Sequence, residues 1–423
     1  MRSTRTTLAA GAVALALTVT ACGSGGAAAP TEAPSNTLEV FSWWTAGSED
    51  AALTALTSAF TEQTGAQVQN GAIAGGGGSN SEAVLQTRVQ GGDAPDTWQS
   101  GPGGRIKQYL DAELVADVSD VYDQNGLRAA MPAAVVDQLG RDGRTYAVPT
   151  GAHKLNVLWY NTTVLDKAGV TPAKDLSLDA FLADLEKVKA SGVTPLCAST
   201  KDAFLPVQLF QNILLATAGP EAFAQLQAGT GNWDTPQVRQ AADYFTRIVA
   251  YGDTDAAALS WDQAAKRLAA GECAFYSVGD YGYNEFISAG ATDGGDLGHV
   301  TSPGTDGDFV AAVDAFVVSA NTPNTDLAKK WLGVIGEKDT QLAFNKAKGS
   351  TPIRTDVDTS SLPPYQQEAA ASFRGDTQVL SISDHADPTF VQALNDAITS
   401  YLQTKDVNAL VQSLSSAATS LQP

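Results

Sequence analysis

Trp43 and Trp44 stand side by side directly after the alternating run Leu38-Glu39-Val40-Phe41-Ser42. Adjacent side chains at the end of a strand point to opposite sides, so one indole packs inward and the other faces a cleft. An indole in a cleft suits the apolar C–H face of a pyranose. The equatorial hydroxyls of such a ring then need amides, carboxylates and ammonium groups around its edge. Glu49, Gln99, Asp280 and Lys348 carry those groups. Of the two indoles, Trp44 is expected to be the stacked ring.

Other chemistries find less support. His153, His299 and His385 occur singly, with no HxH or HExxH and no cysteine pair beside them, so no metal site is expected. No GxSxG elbow is present for a serine nucleophile. The glycine run 75–78 precedes a helix but has neither GK[ST] nor GxGxxG, and reads as a mobile rim loop rather than a phosphate cradle. Nothing calls for a cofactor. Acidic residues are abundant, so a secreted glycoside hydrolase working through Glu49 and Asp280 stays as a competing reading.

The elements that must position these residues alternate. After the first strand, Leu53, Leu56 and Phe60 recur at helical spacing, and Val68 follows past Gly65, a strand, helix, strand opening. The loop 43–50 therefore lies at the carboxyl end of a strand, where open α/β sheets hold their ligands. Gln99 ends a short strand entered through Pro95 and belongs beside that loop. Residues 115–140 read as short helices, and 144–149 and 156–160 as two strands separated by 150–155. Helical periodicity dominates 178–249; strands follow near 273–278 and 309–319, then helices at 327–335, 339–346 and 390–421.

The chain begins with Arg2, Arg5 and an apolar run from Leu8 to Ala21 that is too short for a membrane span and reads as an export signal. Val19-Thr20-Ala21-Cys22 resembles a bacterial lipobox, which implies diacylation and cleavage at Cys22. The segment from Gly23 to Asn36 has little to bury and reads as a flexible tether. About 385 residues then remain, more than one core usually serves, so two lobes are expected. The formal net charge of −20 argues against nucleic acid and anionic membrane surfaces, but scattered acids do not name a ligand. With Cys22 lipidated, Cys197 and Cys273 remain as an even pair in an oxidising compartment, and a disulfide between them is expected.

The segments FSWWTAGSE, GGDAPDTWQ, YAVPTGAHKLNVLWYN, LSWDQAAKRLAAGECAF, GDYG, TSPGTDG and AFNKAKGSTPIR resemble the family 1 extracellular sugar-binding proteins of ABC importers, across essentially the whole mature chain. The SWW opening, the SPGT turn, the KGS segment and a late histidine are most similar to the glucose and mannose binders. The resemblance implies a two-lobed α/β fold of the periplasmic-binding-protein type (type II), with the ligand in a cleft between lobes that close by hinge bending. It implies no enzyme, but a monomer that binds a small sugar and meets the transmembrane subunits of an ABC importer. Such a protein is exported and lipid-anchored on the outer face of the cytoplasmic membrane. The same fold holding an oligosaccharide or another solute is the alternative.

Carried over by position, the resemblance implies ligand-binding roles for Trp43, Trp44, Glu49, Gln99, His153, Lys154, Trp261, Asp280, Asp314, Lys348 and His385. Where related glucose binders place a histidine shortly after the Gln99 position, this chain has Ser100-Gly101-Pro102-Gly103, which leaves that wall open or water-filled. The expected layout is a lipoprotein signal peptide over 1–21 and a tether over 22–37. The N-terminal lobe takes 38–148 plus about 278–320, and the C-terminal lobe about 149–277 plus 321–423.

Overall fold

The computed structural model describes residues 35–45, 47–73 and 79–420. The signal segment, Cys22, the tether before residue 35 and the glycine run 75–78 lie outside the described residues. Along the described chain run β1 (Thr37–Phe41), β2 (Gln67–Asn70), β3 (Thr97–Ser100), β4 (Gly140–Arg141), β5 (Arg144–Thr145) and β6 (Ala147–Lys154). Then come β7 (Val157–Asn161), β8 (Thr194–Leu196), β9 (Cys273–Ser277), β10 (Leu297–Thr301), β11 (Asp308–Val318) and β12 (Thr377–Leu380).

Two sheets organise the molecule. The first holds six strands, with β1 parallel to β2 and β3, and β11 antiparallel to both β3 and β6. The second holds four in the order β10-β7-β9-β8. Each sheet has its own apolar core, one built on Leu38, Val40, Phe60 and Trp331, the other on Phe181, Phe210, Phe275 and Phe390. β1 reads Thr-Leu-Glu-Val-Phe because Leu38 and Val40 face the core while Thr37 and Glu39 are only partly covered. β11 is almost wholly buried, and its near-continuous apolar run reflects cover on both faces. Asp314 is the carboxylate inside that run.

Strand pairing corrects the expected lobe boundaries. Residues 149–154 do not open the second lobe, because β6 continues to Lys154 and pairs with β11 from Ala311 to Val317. β10 does not belong to the first lobe, because all five of its residues pair with β7. The helices Thr325–Ile335 and Lys338–Lys348 put Trp331, Leu332, Ile335 and Phe344 into the first core, so residues after 321 return there rather than to the second lobe. β12 also joins the first sheet through β11. The helices Pro388–Thr404 and Val407–Thr419 pack into the second core.

Cys197 and Cys273 form a disulfide with Cα atoms 5.4 Å apart, tying the end of β8 to the start of β9. Among the described residues no helix is long and apolar enough to cross a membrane.

Candidate functional site

A cleft of about 470 Å³ opens between the two sheets' lobes. Its first wall comes from the loop after β1, the helices Gly47–Thr64 and Gly104–Asp111, and strands β6 and β11. The facing wall comes from the helix Phe204–Ala218, the start of the helix Trp261–Ala269 and the turn at Tyr281. Trp43 follows β1, His153 stands near the end of β6, and Glu49 and Trp261 lie in the first turns of their helices, where side chains project past the packed layers, whereas Asp314 reaches the cleft from the middle of β11.

On the first wall Trp43 lines the cleft, half-buried, while Trp44 is fully buried against Phe316 and Phe344 at 5.8 and 5.2 Å between ring centroids. The expectation that Trp44 is the exposed ring is thus corrected. Nor do the two indoles point opposite ways: β1 ends at Phe41, the rings touch edge to face with centroids 6.3 Å apart, and Trp43 packs on the rim of the core that holds Trp44. Trp44 still bears on the site, since the Lys348 ammonium sits 5.4 Å from the centre of its ring. Lys348 also donates to Glu49 Oε1 at 3.0 Å, and both residues line the cleft.

Asp314 and His153 form the floor. In β11 the register against β6 shifts at Asp314/Ala315, a bulge that gives β6 an extra residue, Thr150. Thr150 Oγ1 donates to the Asp314 carbonyl, and Gly151 opposite Asp314 has no room for a side chain, because a Cβ there would lie 2.2 Å from Asn345 Oδ1. Gln99 Nε2 donates to Asp314 Oδ1 at 2.8 Å, leaving Oδ2 toward the cleft, 4.0 Å from His153 Nε2. Behind the imidazole, Asp280 Oδ1 lies 2.5 Å from His153 Nδ1 and Oδ2 accepts the Lys154 backbone N–H at 3.0 Å. Gln99 and Asp280 therefore stand behind the lining residues, not among them.

Two further expected residues are not brought to the cleft. Lys154 follows His153 on a strand, so its side chain leaves on the other face, where Nζ donates to Ser372 Oγ at 2.8 Å. Burial lowers the pKa of that ammonium. His385 lies beyond the turn at Asp384 and lines a separate cavity with Gly103 and Gln138.

The wall expected to be open after Gln99 is closed. Side chains at Gly103 and Gly104 would collide with backbone at 2.7 and 1.9 Å, so these glycines let the segment 384–386 approach the helix Gly104–Asp111 directly. Arg105 fills the wall, its guanidinium 5.0 Å from the centre of the Trp43 ring and 3.3 Å from Asp384 Oδ1. Asp384 Oδ2 accepts the Val313 N–H at 2.7 Å. Burial pushes the Asp384 carboxyl up to about 6, against the pull of Arg105. Sequence reasoning missed both residues. The glycine pair before a helix was the available signal.

On the facing wall Trp261 and Tyr281 line the cleft edge to face, 5.4 Å apart. Ser260 caps the helix Trp261–Ala269 in a box with Gln263, and Asp202 accepts the Trp261 N–H at 2.9 Å. Tyr281 donates to Gln208 Oε1 at 2.8 Å. Gln211 accepts the Ile382 N–H, while its own Nε2 is buried without a partner. The arrangement offers aromatic faces from both walls together with unpaired donors and acceptors, which suits a small neutral polyol with an apolar face.

The family model for bacterial extracellular solute-binding proteins matches residues 55–372. An ABC transporter extracellular-binding protein of Pyrococcus horikoshii is 30% identical over 406 residues, covering 93% of this chain and 91% of its own. The xylose/arabinose-binding protein XacG of Haloferax volcanii is 30% identical over 332 residues, covering 78% of this chain and 72% of its own. Among solved structures, the bacterial solute receptor AcbH, described as having an exclusive preference for β-D-galactopyranose, matches with a TM-score of 0.80 at 21% identity. That match covers 91% of this chain and 98% of the other and is a likeness of fold.

Proposed function

This chain belongs to the bacterial extracellular solute-binding proteins, and from that premise we propose that it captures a monosaccharide, glucose or a close relative, for an ABC importer. The observation that carries the reading is the cleft between the two lobes, where Trp43 on one wall and Trp261 with Tyr281 on the other flank the Asp314 and His153 floor. An aromatic ring covers the apolar face of a pyranose, and carboxylate, imidazole, guanidinium and ammonium groups take its hydroxyls. The sugars named for XacG and AcbH support a sugar as cargo, and the SWW, SPGT and KGS segments support glucose among the sugars.

Binding closes the lobes about the segments that cross between the sheets, and the membrane subunits of the importer read the closed form. Cys22 carries the lipid that holds the protein at the outer face of the cytoplasmic membrane. Replacing Cys22→Ala is expected to release the protein from the membrane fraction.

Titration calorimetry of the purified protein with glucose, mannose, galactose, xylose and maltose tests the reading. Saturable binding of glucose or a stereoisomer without turnover is expected. No saturable heat with any mono- or disaccharide sinks it.

A further inference from the structure

Asp280 is fully buried and accepts two hydrogen bonds at once, yet it touches no part of the cleft. Its Oδ2 is taken by the Lys154 backbone N–H at 3.0 Å, a donor that no side-chain rotation can change. Its Oδ1 lies 2.5 Å from His153 Nδ1. A carboxylate only accepts, and imidazole is the stronger base of the pair, so the proton sits on Nδ1. The other ring nitrogen, Nε2, is then a bare lone pair. It is buried without a hydrogen-bond partner among the described residues and lies 4.0 Å from Asp314 Oδ2, the carboxylate oxygen that Gln99, donating to Oδ1, does not take.

We infer that Asp280 is a positioning residue that holds His153 in the Nδ1–H tautomer, so that Nε2, buried at the floor of the cleft, and Asp314 Oδ2 are two neighbouring acceptors. Two acceptors 4.0 Å apart cannot bond to each other and are left to a ligand. One hydroxyl has one proton and satisfies only one of them, so the pair takes two adjacent hydroxyls, a vicinal diol. A carboxylate or phosphate on the ligand, which brings no donor, is repelled. The diol part of the inference rests on the sugar reading above; the tautomer part does not.

Asp280→Asn separates the two. Asparagine has one acceptor oxygen, which the fixed Lys154 N–H claims, so its NH₂ turns to His153 Nδ1 and forces the proton onto Nε2. The imidazole then presents a donor toward Asp314, and one of the two acceptors is lost.

Nitrogen-15 NMR of histidine-labelled full-length protein at neutral pH, with His153 assigned through His153→Gln, reads the tautomer without ligand. The expected result is Nδ1–H in the parent protein and Nε2–H in Asp280→Asn. Nε2–H or a doubly protonated ring in the parent protein overturns the inference, and needs no variant to fold. Calorimetry with glucose should show at least a tenfold loss of affinity in Asp280→Asn, and adjacent monodeoxyglucoses should weaken binding to the parent protein. Unchanged affinity in a variant whose tautomer has switched also overturns it. If no sugar of the calorimetric panel binds either protein, the sugar reading and the diol fail together, while the tautomer still decides the role of Asp280.

Discussion

Trp43 and Trp44 touch edge to face with ring centroids 6.3 Å apart and planes at 68°, yet they serve different parts of the molecule. Trp43 lines the cleft under the Arg105 guanidinium, and Trp44 sits in the first core beneath Lys348.

Substituting each indole separates binding from stability. Trp44→Ala empties a fully buried site and is expected to cost about 3–5 kcal/mol of stability. Trp43 is only half-buried, on the rim of that core, so Trp43→Ala is expected to lower sugar affinity about tenfold or more with a smaller change in unfolding free energy. Denaturant titration and calorimetry on the two variants check the division, and equal stability losses contradict it.

Asp384 makes stability depend on pH. Its folded pKa of about 6 lies above that of an unfolded aspartate, so between about pH 4 and 6 the folded state binds the extra proton. The stability it contributes is present below that window and lost as pH rises through it, by about 2–3 kcal/mol. Asp384→Asn keeps an acceptor for the Val313 N–H and is expected to flatten this slope. Thermal unfolding at pH 4, 5, 6 and 7 measures it, and a variant that retains the parent slope assigns the dependence elsewhere.

Lys348 is almost fully buried, and its one carboxylate partner, Glu49, is a third exposed. Among the described residues its ammonium makes one side-chain hydrogen bond, to Glu49, and an ammonium has two further hydrogens that can serve a ligand hydroxyl. Lys348→Met is therefore expected to weaken sugar binding by about 1.5–3 kcal/mol, the range for hydrogen bonds to charged groups. Glu49→Gln, which keeps an acceptor, should cost less. Dissociation constants for the two variants in that order are the check.

The disulfide closes a sequence separation of 76 residues within the second lobe. Chain entropy gives such a cross-link about 4.5 kcal/mol of stabilisation. Cys197→Ser with Cys273→Ser is expected to lower the unfolding midpoint while leaving the cleft residues in place, so glucose affinity measured well below the transition should hold. Loss of affinity in a fully folded double variant contradicts the separation between cross-link and site.

Several features were legible in the residues. The strand, helix, strand opening showed in the spacing of Leu38, Val40, Leu53, Leu56 and Phe60, because burial on one face leaves a period in the sequence. The cysteine pair followed from even count and compartment, whereas the opposed orientation expected of Trp43 and Trp44 did not hold, because the strand ends at Phe41 and the two rings meet edge to face. Which indole went inward did not follow, since that depends on Phe316 and Phe344, hundreds of residues away. The lobe boundaries were misplaced for the same reason: β6, β10 and β12 are assigned by their partners, and hydrogen bonding between distant strands leaves little local mark.

By itself, then, the sequence determined the alternating elements, the aromatic pair after β1 and the candidate polar groups, because these arise from local periodicity and side-chain chemistry. Only the tertiary structure decided which of those groups meet. It turned Lys154 and His385 away, set Gln99 and Asp280 behind Asp314 and His153, and brought Arg105 and Asp384 to the cleft wall. The reason is physical: a strand's alternation, a bulge at Asp314 and the close approach allowed by Gly103 and Gly104 act through neighbours that are far away along the chain.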